Sequence, residues 1–285
     1  MIGTSSALSL PTAGKSNFCV IKLSHASGTL RRMNQRSESI RLAISSLDQY
    51  ATRLARGEAE IRAAQSLRFQ VFNLELNEGL AQSYATGLDV DPFDTVCDHL
   101  LVEHLLSRQI VGTYRLQTGV NAAQNLGYYC AQEFEFDVFD PLRGQIVELG
   151  RACVHRQHRN LVVLGLLWRG IADYAKARGG RYLIGCSSLT SQDPRVGATA
   201  YTDLCRHKHL TDLPWRTQPT RNYECPLDQL TEEAVPIPKL LRAYFAVGAK
   251  ICGAPAIDRQ FKTIDFLTLL DLETMPVGAR ERFLG

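Results

Sequence analysis

The sequence predicts a single α/β domain: a mixed, mainly antiparallel sheet flanked by helices. Three stretches predict it. Leu100–Val102 and Gln109–Leu116 read as an antiparallel pair around the turn Leu106-Ser107-Arg108. Ile146–Val154 (IVELGRACV) is a strand of β-branched and apolar bulk, and Leu161–Arg178 carries helical periodicity up to the stop signal Gly179-Gly180. Arg181–Cys186 (RYLIGC) then reads as a further strand. With 285 residues and 45% hydrophobic content, the chain can bury a substantial core.

In chain order, residues 1–37 are rich in Ser, Thr and Gly and read as a disordered basic tail, and residues 38–285 as the folded domain. The tail has the Ser-rich, acid-poor character of a transit peptide. Met33 is an alternative start, and a basic tail touching anionic lipid is a third reading. Five of the 32 lysines and arginines and none of the 29 acidic residues lie in the tail, which leaves 27 against 29 elsewhere. The folded part is therefore no basic footprint for nucleic acid. The longest apolar run, Leu161–Trp168, falls short of the roughly 18–20 residues that span a bilayer, so the chain reads as soluble or peripheral. Eight cysteines without a CxxC pair are the usage of buried, reduced thiols in a cytosolic protein. The spacing in Cys205-Arg206-His207-Lys208-His209 fits no zinc motif, and no metal is expected.

Glu38–Leu47 reads as a short helix and Tyr50–Leu54 as a first strand. From Glu58, Ile61, Ala64, Leu67, Val71 and Phe72 recur at helical steps, with Arg68 beside the apolar face. Asp89–Asp98 is an acidic loop in which Pro92 blocks a helix, and Thr118–Gly127 is a second loop. Asp193-Pro194 opens a helix to Arg206, Pro238–Gly248 is a short apolar helix, and Ile264–Leu270 is the last strand.

Two features point to chemistry. Glu148 and Arg151 interrupt what is otherwise a core strand, and a charge there needs a reason. The turn His155-Arg156-Gln157-His158-Arg159-Asn160 puts cations where a helix begins with unpaired N–H groups, which makes an anion site. Without a GxGxxG or GxxxxGK run, its natural ligand is the phosphate of a pantetheine arm, held by Arg156, His158 and Arg159. The same turn also reads as a solvated basic surface.

Five motifs carry a resemblance: LRFQVF with Arg68 and Phe72, DPFD with Asp91 and Asp94, GTYRL with Arg115, GYYCAQEFEFD, and ELGR with Glu148 and Arg151. Over roughly residues 48–275 the chain resembles the GNAT (acyl-CoA N-acyltransferase) fold, in the branch of the L-ornithine Nα-acyltransferases, often labelled hemolysin-like. N-acyl amino acid synthases and acyl-homoserine-lactone synthases are relatives of that branch. The C-terminal GAPAIDRQFKTIDFL looks like the ornithine branch. HRQHRN differs from the glycine-rich coenzyme A loop of GNAT acetyltransferases, which favours acyl carrier protein as donor.

The resemblance implies transfer of a (3-hydroxy)fatty acyl group from the phosphopantetheine thioester of acyl carrier protein to the α-amine of L-ornithine. That product is lyso-ornithine lipid, made with no bound cofactor in the cytoplasm near the inner membrane face. Arg68, Asp91, Asp94, Arg115, Glu148 and Arg151 match residues that line the active site of the lactone synthases. Glu148, among apolar residues, would then be the general base, with strand N–H groups near Arg151 for the oxyanion. Arg68 and Arg115 would take the acceptor's carboxylate and Asp91 and Asp94 its side-chain ammonium. The alternative reading of Arg151 is a simple ion pair with Glu148. The alternatives are a synthase with another amine acceptor, or a non-catalytic hemolysin-like protein.

Overall fold

The structure is a computed structural model that describes residues 49–212 and 214–283. The tail over 1–37 and the helix over 38–47 lie outside the described residues.

An eight-stranded sheet forms the domain. Its strands are β1 (Tyr50–Leu54), β2 (Asp98–His104), β3 (Gln109–Thr118), β4 (Ile146–Val154), β5 (Tyr182–Leu189), β6 (Lys250–Ile251), β7 (Ala256–Asp258) and β8 (Thr263–Asp271). They run in the order β1-β2-β3-β4-β5-β8-β6, with β7 also paired to β8. Every pairing is antiparallel except β4 with β5, so the sheet is mixed as the hairpin and the strand-helix-strand pattern require.

The helices are α1 (Glu58–Phe69), α2 (Ser83–Thr86), α3 (Gly119–Gln124), α4 (Leu161–Ala177), α5 (Pro194–Arg206), α6 (Lys239–Ala246) and α7 (Val277–Phe283). Asn160 Oδ1 caps α4 by accepting from the N–H groups of Val162 and Val163, both at 3.0 Å, and Gly179 ends it in the left-handed region at φ +68°. Val163, Leu167, Ile171 and Ala175 recur on one face of α4 and pack on Val102, Leu116, Val147 and Leu183 of the sheet. A second core lies under the aromatic run, where Phe134, Phe136 and Phe139 meet Ile146, Ile184 and Leu267.

Local chemistry overrode the sequence reading at several points. Pro92 does not exclude a helix but starts one, at the first position of a 3₁₀ turn, where its missing N–H costs nothing. Thr118 accepts from Asn121 N–H at 3.1 Å and caps α3, inside the expected loop. The short strands β6 and β7 and the helix α7 were also not expected; two- and three-residue strands leave no alternation to read.

β4 and β5 part company early. They pair only through Ile146 with Tyr182, Val147 with Leu183 and Glu148 with Ile184, although both strands run on. At the parting the two backbones are very close. A Cβ on Gly185 would lie 2.3 Å from the carbonyl oxygen of Leu149, so only glycine fits there. On its other edge β4 carries a bulge: Thr113 faces Cys153 and Arg115 faces Gly150, and Arg151 takes up the extra length at φ +51°.

Candidate active site

A cavity of about 310 Å³ opens beside the point where β4 and β5 separate, and Glu148, Arg151, Arg115, Tyr129, Phe72 and Phe261 are among its walls. Phe72 reaches it because α1 continues into a π-helical turn, Gln70–Glu75, in which Leu76 N–H donates to Val71 C=O at 3.0 Å. A smaller apolar recess of about 70 Å³ adjoins it inside the gap, lined by Trp168, Leu183, Gly185 and Tyr244 among others. Burial pushes the Tyr114 hydroxyl up to about 12 and the Tyr244 hydroxyl well above its usual value, and the two are hydrogen-bonded to each other.

Glu148 is buried, yet its surroundings are not the apolar ones expected. Its Oε2 accepts from Gln117 Nε2 at 2.6 Å and from Tyr129 N–H at 3.0 Å, and its Oε1 from Cys130 N–H at 2.8 Å. Three N–H donors are the complement of a carboxylate, and they fix its orientation toward the cavity. Arg151 does not pair with it. The Arg151 guanidinium sits over the rings of Tyr129, 4.8 Å from its centre, and Phe261, 4.6 Å from its centre.

The arginines and loop aspartates meet one another. Arg68 donates from both terminal nitrogens to Asp94, at 2.9 and 2.6 Å, while its Nε lies 2.9 Å from Asp89. Arg115 pairs with Asp91 and, at 3.1 Å, with Asp94. Arg151 reaches Asp91 at 2.8 Å and Asp89 at 3.3 Å. The result is a closed buried array of three guanidiniums and three carboxylates. Burial opposes the charge on Asp91, but Arg115 and Arg151 beside it hold its carboxyl below the usual range. Burial likewise opposes the charge on Asp94, and Arg68 and Arg115 overcome it by a wide margin.

Arg115 and Arg151 border the cavity, whereas Arg68, Asp91 and Asp94 stand behind it. The sequence reading had Arg68 meeting a substrate carboxylate and the two aspartates a substrate cation; in the structure each meets an opposite charge of the protein. Asp91 is also the N-cap of its turn, accepting from Phe93 N–H at 2.9 Å, which accounts for the DPFD motif locally.

The basic turn stands apart from both cavities. Arg156 is exposed. His158 Nδ1 meets the hydroxyl of Tyr50 at 2.9 Å, and Arg159 pairs with Glu75, one contact being 2.7 Å. Of the two arginines there, Arg159 already has its anion.

Residues 67–169 match the acetyltransferase (GNAT) domain family. The L-ornithine N(alpha)-acyltransferase of Agrobacterium fabrum is 35% identical over 79% of this chain and 81% of its own length. The chain belongs to the L-ornithine Nα-acyltransferase family. A second member, from Rhodobacter capsulatus, is 32% identical over 81% of this chain and 93% of its own. The chain also resembles the solved structure of an N-acyl amino acid synthase from uncultured soil microbes, with 11% identity, a TM-score of 0.48, and coverage of 79% of this chain and 91% of that one. As a member of this family the protein is an acyltransferase, and its domain is of the GNAT class.

Several groups at the site escaped the sequence reading. Asp89 closes the charged array. Gln117 and the N–H groups of Tyr129 and Cys130 hold Glu148. Glu78, Glu133, Asp258 and Asp265 form a second acidic group in the cavity wall. One signal was available: Asp265 interrupts the apolar strand TIDFLTLL just as Glu148 interrupts IVELG. Backbone donors leave no such mark.

Proposed function

We propose that this acyltransferase moves a fatty acyl group from the thioester of acyl carrier protein to the α-amine of L-ornithine. One observation carries the reading: an oriented carboxylate, Glu148, lies in a cavity wall where the sheet separates and an apolar recess begins. The relatives' shared name supplies the acceptor.

In this reading the thioester enters the gap between β4 and β5, with its apolar portion along the recess. The acceptor amine approaches from the larger cavity and gives up a proton to Glu148, directly or through water. Nitrogen attacks the thioester carbon, the C–N bond forms, and backbone N–H groups of β4 near its bulge stabilise the oxyanion. The C–S bond then breaks, and the thiolate leaves as a thiol. Tyr244, kept protonated by burial and bordering both cavities, is placed to give it that proton. Arg115 and Arg151, which border the cavity, offer N–H donors to the acceptor's carboxylate. Asp89, Asp91, Asp94 and Arg68 hold those two guanidiniums in place. Arg156, His158 and the helix start beside them form the approach for an acidic carrier partner. Among the described residues no helix is long and apolar enough to cross a membrane.

The test is product formation by the purified protein with a 3-hydroxyacyl carrier protein and each amino acid in turn, followed by mass spectrometry. Product with ornithine supports the reading. Product with another amine alone keeps the chemistry and overturns the acceptor.

A further inference from the structure

The second acidic group in the cavity wall is unlike the charged array near Glu148, because among the described residues no salt bridge neutralises it; Arg151 acts on Glu133 only through space. One oxygen each of Glu133, Asp258 and Asp265 lies within 4.8 Å of the others, and all three residues are buried. Asp258 Oδ1 accepts from Gln260 and Phe261 N–H, both at 2.8 Å, and Asp265 Oδ2 from the Thr263 hydroxyl at 3.1 Å. No N–H or O–H donor of good geometry reaches Asp265 Oδ1, although the residue is only 4% exposed and borders the cavity; the carboxyl otherwise leans on Ser188 and on the Glu133 carboxyl. An orphaned carboxylate oxygen at such burial is costly unless something arrives to satisfy it. Glu78 stands beside the group, held by the Thr190 hydroxyl. The nearest guanidinium, that of Arg151, is occupied by Asp89 and Asp91.

Burial and the charges of Asp265 and Asp258 push the Glu133 carboxyl well above its usual range, and burial with Asp258 pushes Asp265 up to about 6. The pocket wall is thus short of positive charge. It is also connected to the reacting end: Cys130 N–H donates to Glu148, the Cys130 and Cys186 sulfurs are 3.5 Å apart, and Cys186 Sγ lies 3.7 Å from Glu133.

We propose that Glu133, Asp258 and Asp265, with Glu78 beside them, form the side-chain site of the acceptor and receive the terminal ammonium of a diamino acid whose α-amine lies at Glu148. The proposal rests on the amino-acid-acceptor reading above and deepens it. A cavity lined by a reacting carboxylate and by a separate carboxylate cluster matches a molecule with two amines. A neutral side chain would leave the cluster without a donor and uncompensated, which is the arrangement that discriminates best between a polar substrate and its truncated analogue.

The experiment compares L-ornithine with L-norvaline, which has the same carbon chain without the terminal amine. Full-length protein is used as wild type, Asp265→Asn and Glu133→Gln, with carrier-protein thioester as donor and kcat and KM measured separately. Wild type is expected to prefer ornithine by at least about a hundredfold in kcat/KM. Each variant is expected to lower that preference at least about tenfold, chiefly through the KM for ornithine. The two variants guard against one failing to fold, which thermal melts report. An equal loss on both substrates, or no wild-type preference, overturns the proposal. So does stabilisation by magnesium, manganese or calcium chloride that a chelator reverses, which would make the cluster a metal site. If wild type instead acylates a different amine, the ornithine reading falls alone. The side-chain site then stands if that acceptor carries a second cation that the variants cease to prefer, and falls if the acceptor is neutral.

Discussion

Glu148 takes three hydrogen bonds from N–H donors, and this sets what its replacement does. Glutamine at 148 keeps the shape but turns an amide NH₂ toward at least one of those donors and loses the proton acceptor. Glu148→Gln is expected to cut kcat by about 10²- to 10⁴-fold. Its circular dichroism should stay that of wild type, and an unchanged rate would remove Glu148 as the base. Asp94 is a different kind of residue, since it faces Arg68 and Arg115 at once. Asp94→Ala strands buried guanidiniums and is expected to destabilise by about 3–5 kcal/mol, read from denaturant melts. A loss within error of zero would mean that the array contributes nothing to folding.

The two acidic groups give stability opposite pH dependences. Asp91 and Asp94 titrate below their ordinary value of 3.8, so their contribution is present above that value and is lost as pH falls through the depressed ones. Asp265 titrates at about 6, so its contribution is full below 3.8 and is lost as pH rises through 6. Asp265→Asn should therefore raise Tm at pH 7 and change it little at pH 4. A Tm that falls equally at both pH values would show that Asp265 is a structural acceptor only.

At the scale of elements, the parting of β4 and β5 depends on Gly185. Gly185→Ala puts a methyl 2.3 Å from the Leu149 carbonyl, so one strand has to move. The expected cost is about 1–3 kcal/mol, with activity falling further than stability because Glu148 and the gap move together. Parallel thermal melts and rate measurements check this, and full activity would mean that the strands need not touch. Elements with strong periodicity, β1 to β5, α1, α4 and α5, were legible from the sequence. α3 and the Pro92 turn were not, because their signals are single caps, Thr118 and Asp91, inside polar stretches that read as loops. The π-helical turn after α1 has no sequence mark, and with it went the reason why Phe72 faces the cavity.

For the whole molecule, Glu148 and Arg151 were conspicuous as charges inside an apolar strand, while it was the family resemblance that put Arg115 at the same site. The sequence did not show which charges would neutralise one another. Arg68 and Asp94 are 26 positions apart, and Arg151 and Asp91 60 apart, and only the sheet brings them together. Asp265 carried the same strand signal as Glu148, but Glu78 and Glu133 lie in irregular segments where an acidic residue is unremarkable.

The three residue pairs that join β4 to β5 also divide the sheet mechanically. On one side β1 to β4 are laddered together; on the other, β5 and β8 share eight pairs. Among the pairings of the long strands β1 to β5 and β8 this junction has the fewest residue pairs, so thermal motion should concentrate there while each leaf stays intact. Amide hydrogen exchange would then be faster at Ile146–Glu148 and Tyr182–Ile184 than in the β5–β8 ladder, and an acyl thioester filling the gap would slow it. Uniform protection across both would mean a rigid sheet. A seam that yields gives a long acyl chain a way in from the side, so that it need not thread the cavity from one end.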